Sequence, residues 1–312
     1  MKENQASFTA MLVAYMRAYH SIHDAPKIFD DFLAYDLIPE EKRALIEQHL
    51  IEQNVTFGQQ SNDFDYSVSH SDQTINSESL MQEIHRYAGL FSSRALYAED
   101  AIEKAVKQGV KQYVILGAGM DTFAFRQPEM MEKLEVFEVD HPATQEFKLH
   151  RLAELEWEHP AKLHFIYIDF TKESLVTALM RSSSYDPTIK TFFSWLGVTY
   201  FLTRDEVFTT LRSIADVAPA GSTIVFDYFD ADVFIPEKSS PQMQKSLEYL
   251  RKMGEPMITG FNPSTLAEEL ASLGFSLQEN LSPADIEERY FKGRIDRYHA
   301  HEHVHFACAV IE

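Results

Sequence analysis

Residues 110–121 of this 312-residue chain read VKQYVILGAGMD, and no other stretch constrains the fold as strongly. The apolar run YVIL (113–116) has the length and composition of a buried strand. Gly117 and Gly119 let the backbone turn sharply behind it and approach a ligand closely. Such a turn joins a strand to a helix in an open α/β sheet, where ligands sit beyond the carboxyl ends of the strands. Two cofactor classes use it. Dinucleotide enzymes require a third small residue in the pattern G-x-G-x-x-G/A, so that the helix packs tightly beside a pyrophosphate. That position holds Thr122, and the turn carries no basic residue. A methionine-derived cofactor has no phosphate and requires only the close approach. The spacing favours the second class and leaves a NAD(P)-dependent oxidoreductase as the alternative.

The segments around the turn alternate strand with helix. LEVFEVD (134–140), LHFIYID (163–169), TFFSWL (191–196) and STIVFDYF (222–229) read as further strands. TRDEVFTTLRSIADVA (203–218) reads as a helix, with Thr203 as N-cap and Glu206 three residues on. This alternation predicts a parallel, doubly wound sheet over a cofactor-binding core at 109–230. Upstream, AMLVAYMRAY and PEEKRALIEQHL predict helices, 52–78 a long mobile loop, and 79–108 another helix. In that last helix Leu80, Ile84, Tyr87, Leu90 and Phe91 share a face. Residues 231–262 read as an inserted lid, whose Phe234, Met243, Tyr249, Met253 and Met257 could cover an apolar substrate. A helix at 263–273 and strands at 275–280 and 301–311 close the chain. One catalytic domain is expected, spanning 1–312.

Charge and composition restrict the partners. A net charge of −20 repels phosphate backbones and anionic lipid, so nucleic acid and membrane are poor partners. No apolar run reaches the roughly 18 to 20 residues a membrane helix requires, and the N-terminus does not read as a signal peptide; a cytoplasmic protein is expected. The single cysteine, Cys308, rules out an internal disulfide and reads as a core residue. His299, His301, His303 and His305 alternate, which would put all four on one face of a strand. Such a face could hold a metal, although an ordinary polar strand face accounts for it more simply.

Carboxylates mark two strand ends. Asp140 closes the second strand 21 residues after Gly119, where an acidic side chain accepts from ribose hydroxyls. The third strand ends in Asp169-Phe170. A carboxylate there can accept from an exocyclic amine, and the ring can lie against a purine.

Taken together, LGAGMDTFAFR (116–126), VFEVDHPATQEFK (136–148), IDF (168–170) and SWLGVTYFLTRDEV (194–207) resemble the leucine carboxyl methyltransferase family, over roughly residues 10–230. That family includes protein phosphatase methyltransferases and bacterial O-methyltransferases associated with polyketide pathways. The resemblance implies a class I methyltransferase (Rossmann-like) fold with seven strands, the last antiparallel, to which the reading along the chain adds an N-terminal helical extension and a lid insertion. It implies S-adenosyl-L-methionine as cofactor and no metal. Arg94 matches the arginine that holds the methionine carboxylate. Gly117, Ala118 and Gly119 pass under the cofactor, and Asp121 closes the turn. Asp140 takes the ribose, and Asp169 and Phe170 the adenine. Arg17 matches a basic residue near the cofactor, while Trp195 and Tyr200 would wall the acceptor pocket. Where the phosphatase methyltransferases carry a glutamate, this chain has Leu196, which points to a small-molecule acceptor whose carboxyl or hydroxyl oxygen takes the methyl. A cofactor-binding protein without catalysis is the remaining alternative, and the sequence assigns neither a general base nor an oligomeric state.

Overall fold

The computed structural model describes residues 6–58, 72–169, 172–296 and 298–312. Helices α1 (Phe8–His23), α2 (Ala34–Leu37), α3 (Glu40–Gly58) and α4 (Asp72–Lys107) precede the first strand. Then follow β1 (Gln112–Leu116), α5 (Phe123–Arg126), α6 (Pro128–Met131), β2 (Glu135–Asp140), α7 (Pro142–Glu154), β3 (Leu163–Tyr167), α8 (Leu175–Met180) and β4 (Thr191–Trp195). The chain continues through α9 (Arg204–Val217), β5 (Thr223–Phe229), α10 (Pro241–Met253), α11 (Leu266–Ala271), β6 (Phe275–Leu281), α12 (Pro283–Ile286) and β7 (Val304–Ile311). The first five strands lie within one or two residues of the expected positions. Thr203 caps α9 in a complete capping box with Glu206, as the sequence indicates.

The strands form one sheet in the order β3-β2-β1-β4-β5-β7-β6. β1 to β5 pair in parallel, and β7 runs antiparallel to both β5 and β6. This is the class I methyltransferase arrangement. The strand order reverses between β1 and β4, and that switch point opens a crevice at the carboxyl ends of the strands. β1 and β4 are buried along their whole length, as expected of parallel strands covered on both faces. Side-chain alternation splits the core in two. Tyr113, Ile115, Phe192 and Val225 pack with α1 and α4, whereas Val114, Leu116, Phe193 and Trp195 pack with α8 and α9.

Two expectations need correction, and a third gains detail. The region 52–78 is not one loop: α3 runs on to Gly58 and α4 begins at Asp72, and residues 59–71 lie outside the described ones. These helix ends are polar, and apolar periodicity cannot reveal such ends. The 231–262 insertion, read as a lid, is hydrogen-bonded to the core near its C-terminal end. Ile258 N–H donates to the Tyr200 carbonyl at 2.8 Å and Phe261 N–H to that of Phe229 at 2.9 Å. Its Tyr249 hydroxyl bonds His49 of α3 at 2.7 Å, Met243 and Met257 are core, and Phe234 faces solvent. The side chain of Met253 lies outside the described ones. Finally, the histidines do not share a strand face. β7 starts at Val304, so His305 alone lies in it; His299 is exposed beside Glu287, His301 meets the Phe229 ring edge-on, and His303 and His305 are buried near Asp230. The backbone turns at His301, whose carbonyl accepts from Val304 N–H at 3.2 Å, and this breaks the alternation. Among the described residues no cluster of side chains could hold a metal ion, and no helix is long and apolar enough to cross a membrane.

One buried ion pair ties α4 to the sheet. Asp227, in mid-β5, is fully buried, and its Oδ2 meets Arg94 Nη1 at 3.0 Å. Asp227 Oδ1 accepts from Gly197 N–H at 2.6 Å, and Arg94 also donates to the Tyr200 hydroxyl at 3.2 Å. Burial opposes the Arg94 charge, but Asp227 and Tyr200 outweigh it and hold the guanidinium protonated. Burial pushes Tyr200 itself up to about 12, so it stays a phenol. Removing one partner of such a pair strands a buried charge, at a cost of about 3 to 5 kcal/mol. We predict that Asp227→Asn lowers stability in urea unfolding by about 3 kcal/mol, whereas the double variant Arg94→Met, Asp227→Asn loses less than the sum of its single variants. Strict additivity would refute the coupling.

Candidate active site

A cavity of about 1610 Å³ opens at the carboxyl ends of β1 to β4. Single-ligand pockets span roughly 300 to 1,000 Å³, so this one has room for two molecules. Arg17, Arg94, Gly117, Ala118, Gly119, Asp121, Asp140 and Asp169 all line it, which brings together residues far apart in the chain. Phe170 lies outside the described residues.

The glycine turn forms the floor. Gly117 and Gly119 adopt φ of 69° and 53°, in the left-handed region. A Cβ on Gly117 would lie 2.6 Å from Val198 Cγ2, and one on Gly119 would lie 3.0 Å from Ala10 Cβ. The turn is thus clasped between the loop after β4 and the roof helix α1. Five of its N–H groups already have protein acceptors. Gly117 and Ala118 N–H donate to the Val139 carbonyl, Gly119 N–H to Asp140 Oδ2, Asp121 N–H to the Ala118 carbonyl and Phe123 N–H to Asp121 Oδ1. A pyrophosphate cradle works by presenting such N–H groups to the anion. Here they face protein acceptors, with two carboxylates beside them.

Asp140 is half-buried, and its Oδ1 also accepts from His141 N–H at 2.6 Å. Burial raises its pKa above the ordinary aspartate value, although the two backbone donors pull the other way. Asp121 does two things: its carboxylate caps Phe123, and its carbonyl accepts from the buried Lys148 Nζ at 2.6 Å, which also pairs with Glu138 at 2.5 Å. Asp169 sits at the mouth, 2.7 Å from Lys172.

Arg17 reaches the turn from α1. Its Nε meets Asp31 Oδ2 at 2.8 Å, and its Nη2 donates to the Met120 carbonyl at 3.1 Å. The buried Asp31 also accepts from the Thr122 hydroxyl at 2.5 Å and lies 3.4 Å from Arg126 Nε. Arg126 completes the chain by pairing with Glu99 of α4. Thr122, where a dinucleotide enzyme has its third glycine, therefore serves to fasten the segment before α2 to the turn.

The structure does not place two of the expected wall residues in the cavity. Ser194 and Leu196 of the fourth-strand segment line it, so Trp195, between them, points to the opposite face and is fully buried there. Tyr200 stands behind Arg94, bonded to it, rather than in the wall. Sequence reasoning missed Asp31, Glu99, Arg126, Asp227 and Glu255. Asp227 carried a signal: a lone carboxylate inside the apolar run TIVFDYF requires a partner. The other four gave none, because chain folding alone brings them to the turn.

Comparison with known proteins agrees with this geometry. Residues 10–215 match the sequence model of the leucine carboxyl methyltransferase family. A Bacillus subtilis (strain 168) protein named as an S-adenosyl-L-methionine-dependent methyltransferase, YktD, is 38% identical over 99% of this chain and 99% of its own length. A Mycobacteroides abscessus protein with the same description is 28% identical over 62% of this chain and 58% of its own. Among solved structures, a DUF574 family protein from Streptomyces avermitilis superposes with a TM-score of 0.54 at 15% identity, covering 80% of this chain and 95% of that one, which speaks to the fold alone. With its seven-stranded sheet, clasped glycine turn and full-length relative, the chain belongs to the leucine carboxyl methyltransferase family.

Proposed function

We propose that this chain is an S-adenosylmethionine-dependent methyltransferase acting on an oxygen atom of a small molecule. The observation that carries the reading is the glycine turn, whose glycine N–H groups are already engaged. It lets a ligand approach closely, while the N–H groups of Gly117, Ala118 and Gly119, which would cradle a phosphate, already have protein acceptors; this fits a sulfonium cofactor and counts against the nicotinamide alternative. Membership of a methyltransferase family supports the same cofactor, and the capacious cavity counts against a cofactor-binding protein with no acceptor.

The residues present fit that group. Arg94 and Arg17 would hold its carboxylate, Asp140 its ribose hydroxyls and Asp169 its adenine amine. When bound, S-adenosylmethionine supplies an electrophilic methyl group on a positively charged sulfur. The chain's part is then to orient the acceptor oxygen and exclude water, a contribution that positioning alone can make large. Helix α1 does the second by roofing the turn through Ala10. On the acceptor side, Leu196 presents an apolar surface, which supports a small molecule, of the kind met in polyketide tailoring, over a protein tail. A cytoplasmic setting belongs to the same reading.

Titration calorimetry tests the cofactor. S-adenosylhomocysteine should bind with micromolar affinity, about −8 kcal/mol, and NAD should not bind. Arg94→Met should weaken binding about tenfold or more; tight NAD binding without S-adenosylhomocysteine binding would reverse the reading. The pH dependence is a second check. The Asp140 carboxylate accepts hydroxyl donors only when ionised, so affinity should be full at neutral pH and fall on acidification. Because the pKa is raised, the fall should begin above the ordinary value of 3.8. Asp140→Asn should bind more weakly at neutral pH and lose this dependence; an unchanged profile in that variant would remove Asp140 from the site.

A further inference from the structure

The charge pattern of the cavity selects its second ligand. Among the described residues lining it, five side chains are permanent cations: Arg17, Arg94, Arg126, Lys172 and Arg181. Every one is already ion-paired, with Asp31, Asp227, Glu99, Asp169 and Glu173 respectively. Eight carboxylates line the same cavity. An anionic acceptor would enter an acidic chamber whose cations are all engaged, and the cofactor's own carboxylate draws on Arg94 and Arg17 as well. Like-charge burial of that kind is costly.

One carboxylate is placed differently from the rest. Glu255 comes from the tail of the insertion after α10 and lies across the mouth from α1, where Thr9 donates its hydroxyl to Glu255 Oε2. Among the described residues, Glu255 Oε1 accepts no hydrogen bond and Glu255 forms no ion pair. The residue after Thr9, Ala10, is the one that packs on Gly119, so Thr9 ties Glu255 to the same turn of α1 that roofs the glycines. The lining of the same cavity includes the apolar side chains Val13, Val198, Phe201, Leu202 and Pro256. The insertion holds this position because Thr259 donates to the Leu202 carbonyl at 2.5 Å and Ile258 N–H to that of Tyr200.

We propose that Glu255 is the specificity residue for the acceptor, and that the acceptor is a neutral molecule with an apolar body and a hydroxyl group that donates to Glu255, not a carboxylic acid. The proposal rests on the methyltransferase reading above. A carboxylate acceptor oxygen on an apolar wall binds an O–H donor and repels a second carboxylate. The family's carboxyl chemistry is therefore not what this cavity is built to admit.

A matched pair of probes tests it by binding rather than turnover. 1-Naphthol and 1-naphthoate have the same ring and differ in the group offered to Glu255. Titrated into the protein saturated with S-adenosylhomocysteine, 1-naphthol should bind about tenfold or more tightly than 1-naphthoate. Glu255→Gln keeps the shape and removes the charge, so it should weaken 1-naphthol and strengthen 1-naphthoate, narrowing or inverting the ratio, while S-adenosylhomocysteine affinity stays at the wild-type level. Thr9→Val, which removes only the roof-side donor, should leave the preference for 1-naphthol in place. Equal or tighter binding of 1-naphthoate, a ratio unmoved by Glu255→Gln, or binding of neither probe overturns the proposal. Wild-type protein that fails to bind S-adenosylhomocysteine at all would instead bring down the cofactor reading beneath it.

Discussion

A backbone pressed from two sides governs the rest of this molecule. The path from Leu116 to Asp121 has Val198 against one glycine and Ala10 against the next, in φ values that side chains rarely adopt. Because neither glycine carries a Cβ to crowd these neighbours, α1 can lie directly over the carboxyl end of β1, and the loop after β4 can lie beside it. These two approaches turn the crevice of a doubly wound sheet into a roofed chamber. The same close packing draws the turn's N–H groups onto Val139 and Asp140. Where a phosphate-binding loop keeps its donors available, this one uses them to hold its own shape.

Charge is handled in the same way around the turn. Arg94 and Asp227 pin α4 to β5, Asp31 held by both Arg17 and Arg126 together with the Arg126–Glu99 pair links α1, α4 and α5, and Lys148 with Glu138 braces the turn from behind. Buried pairs of this type add little net stability against well-packed apolar residues, but each one fixes relative positions, since breaking it is costly. The result is a site whose cations have assigned partners before any ligand arrives. What is left over is acidic, which suits a cationic cofactor and a neutral acceptor.

Much of this was legible in the chain. The central strands are predominantly apolar because both of their faces are covered, and each segment ends at a glycine or carboxylate that the fold carries to the same edge. Gly117, Gly119, Asp140 and Asp169 meet in the cavity for that reason, and Arg94 and Arg17 join them from the helical extension. Errors arose where local pattern is silent. Trp195 and Tyr200 belong to the right segment, but strand alternation turns one away and Arg94 captures the other. The histidines alternate in sequence, yet a turn at His301 delays the strand. Asp31 and Glu255 are ordinary surface-type residues in sequence and become site residues only when α1 and the insertion close over the turn.

The account stands or falls on what occupies the chamber, and a crystal structure with S-adenosylhomocysteine is the direct measurement. Density is expected for the amino-acid part over Gly117–Gly119, its carboxylate at Arg94, the ribose at Asp140, and a remaining space lined by Val198, Phe201 and Glu255. Ligand density elsewhere on the protein, or a homocysteine carboxylate turned away from both Arg94 and Arg17, would contradict it.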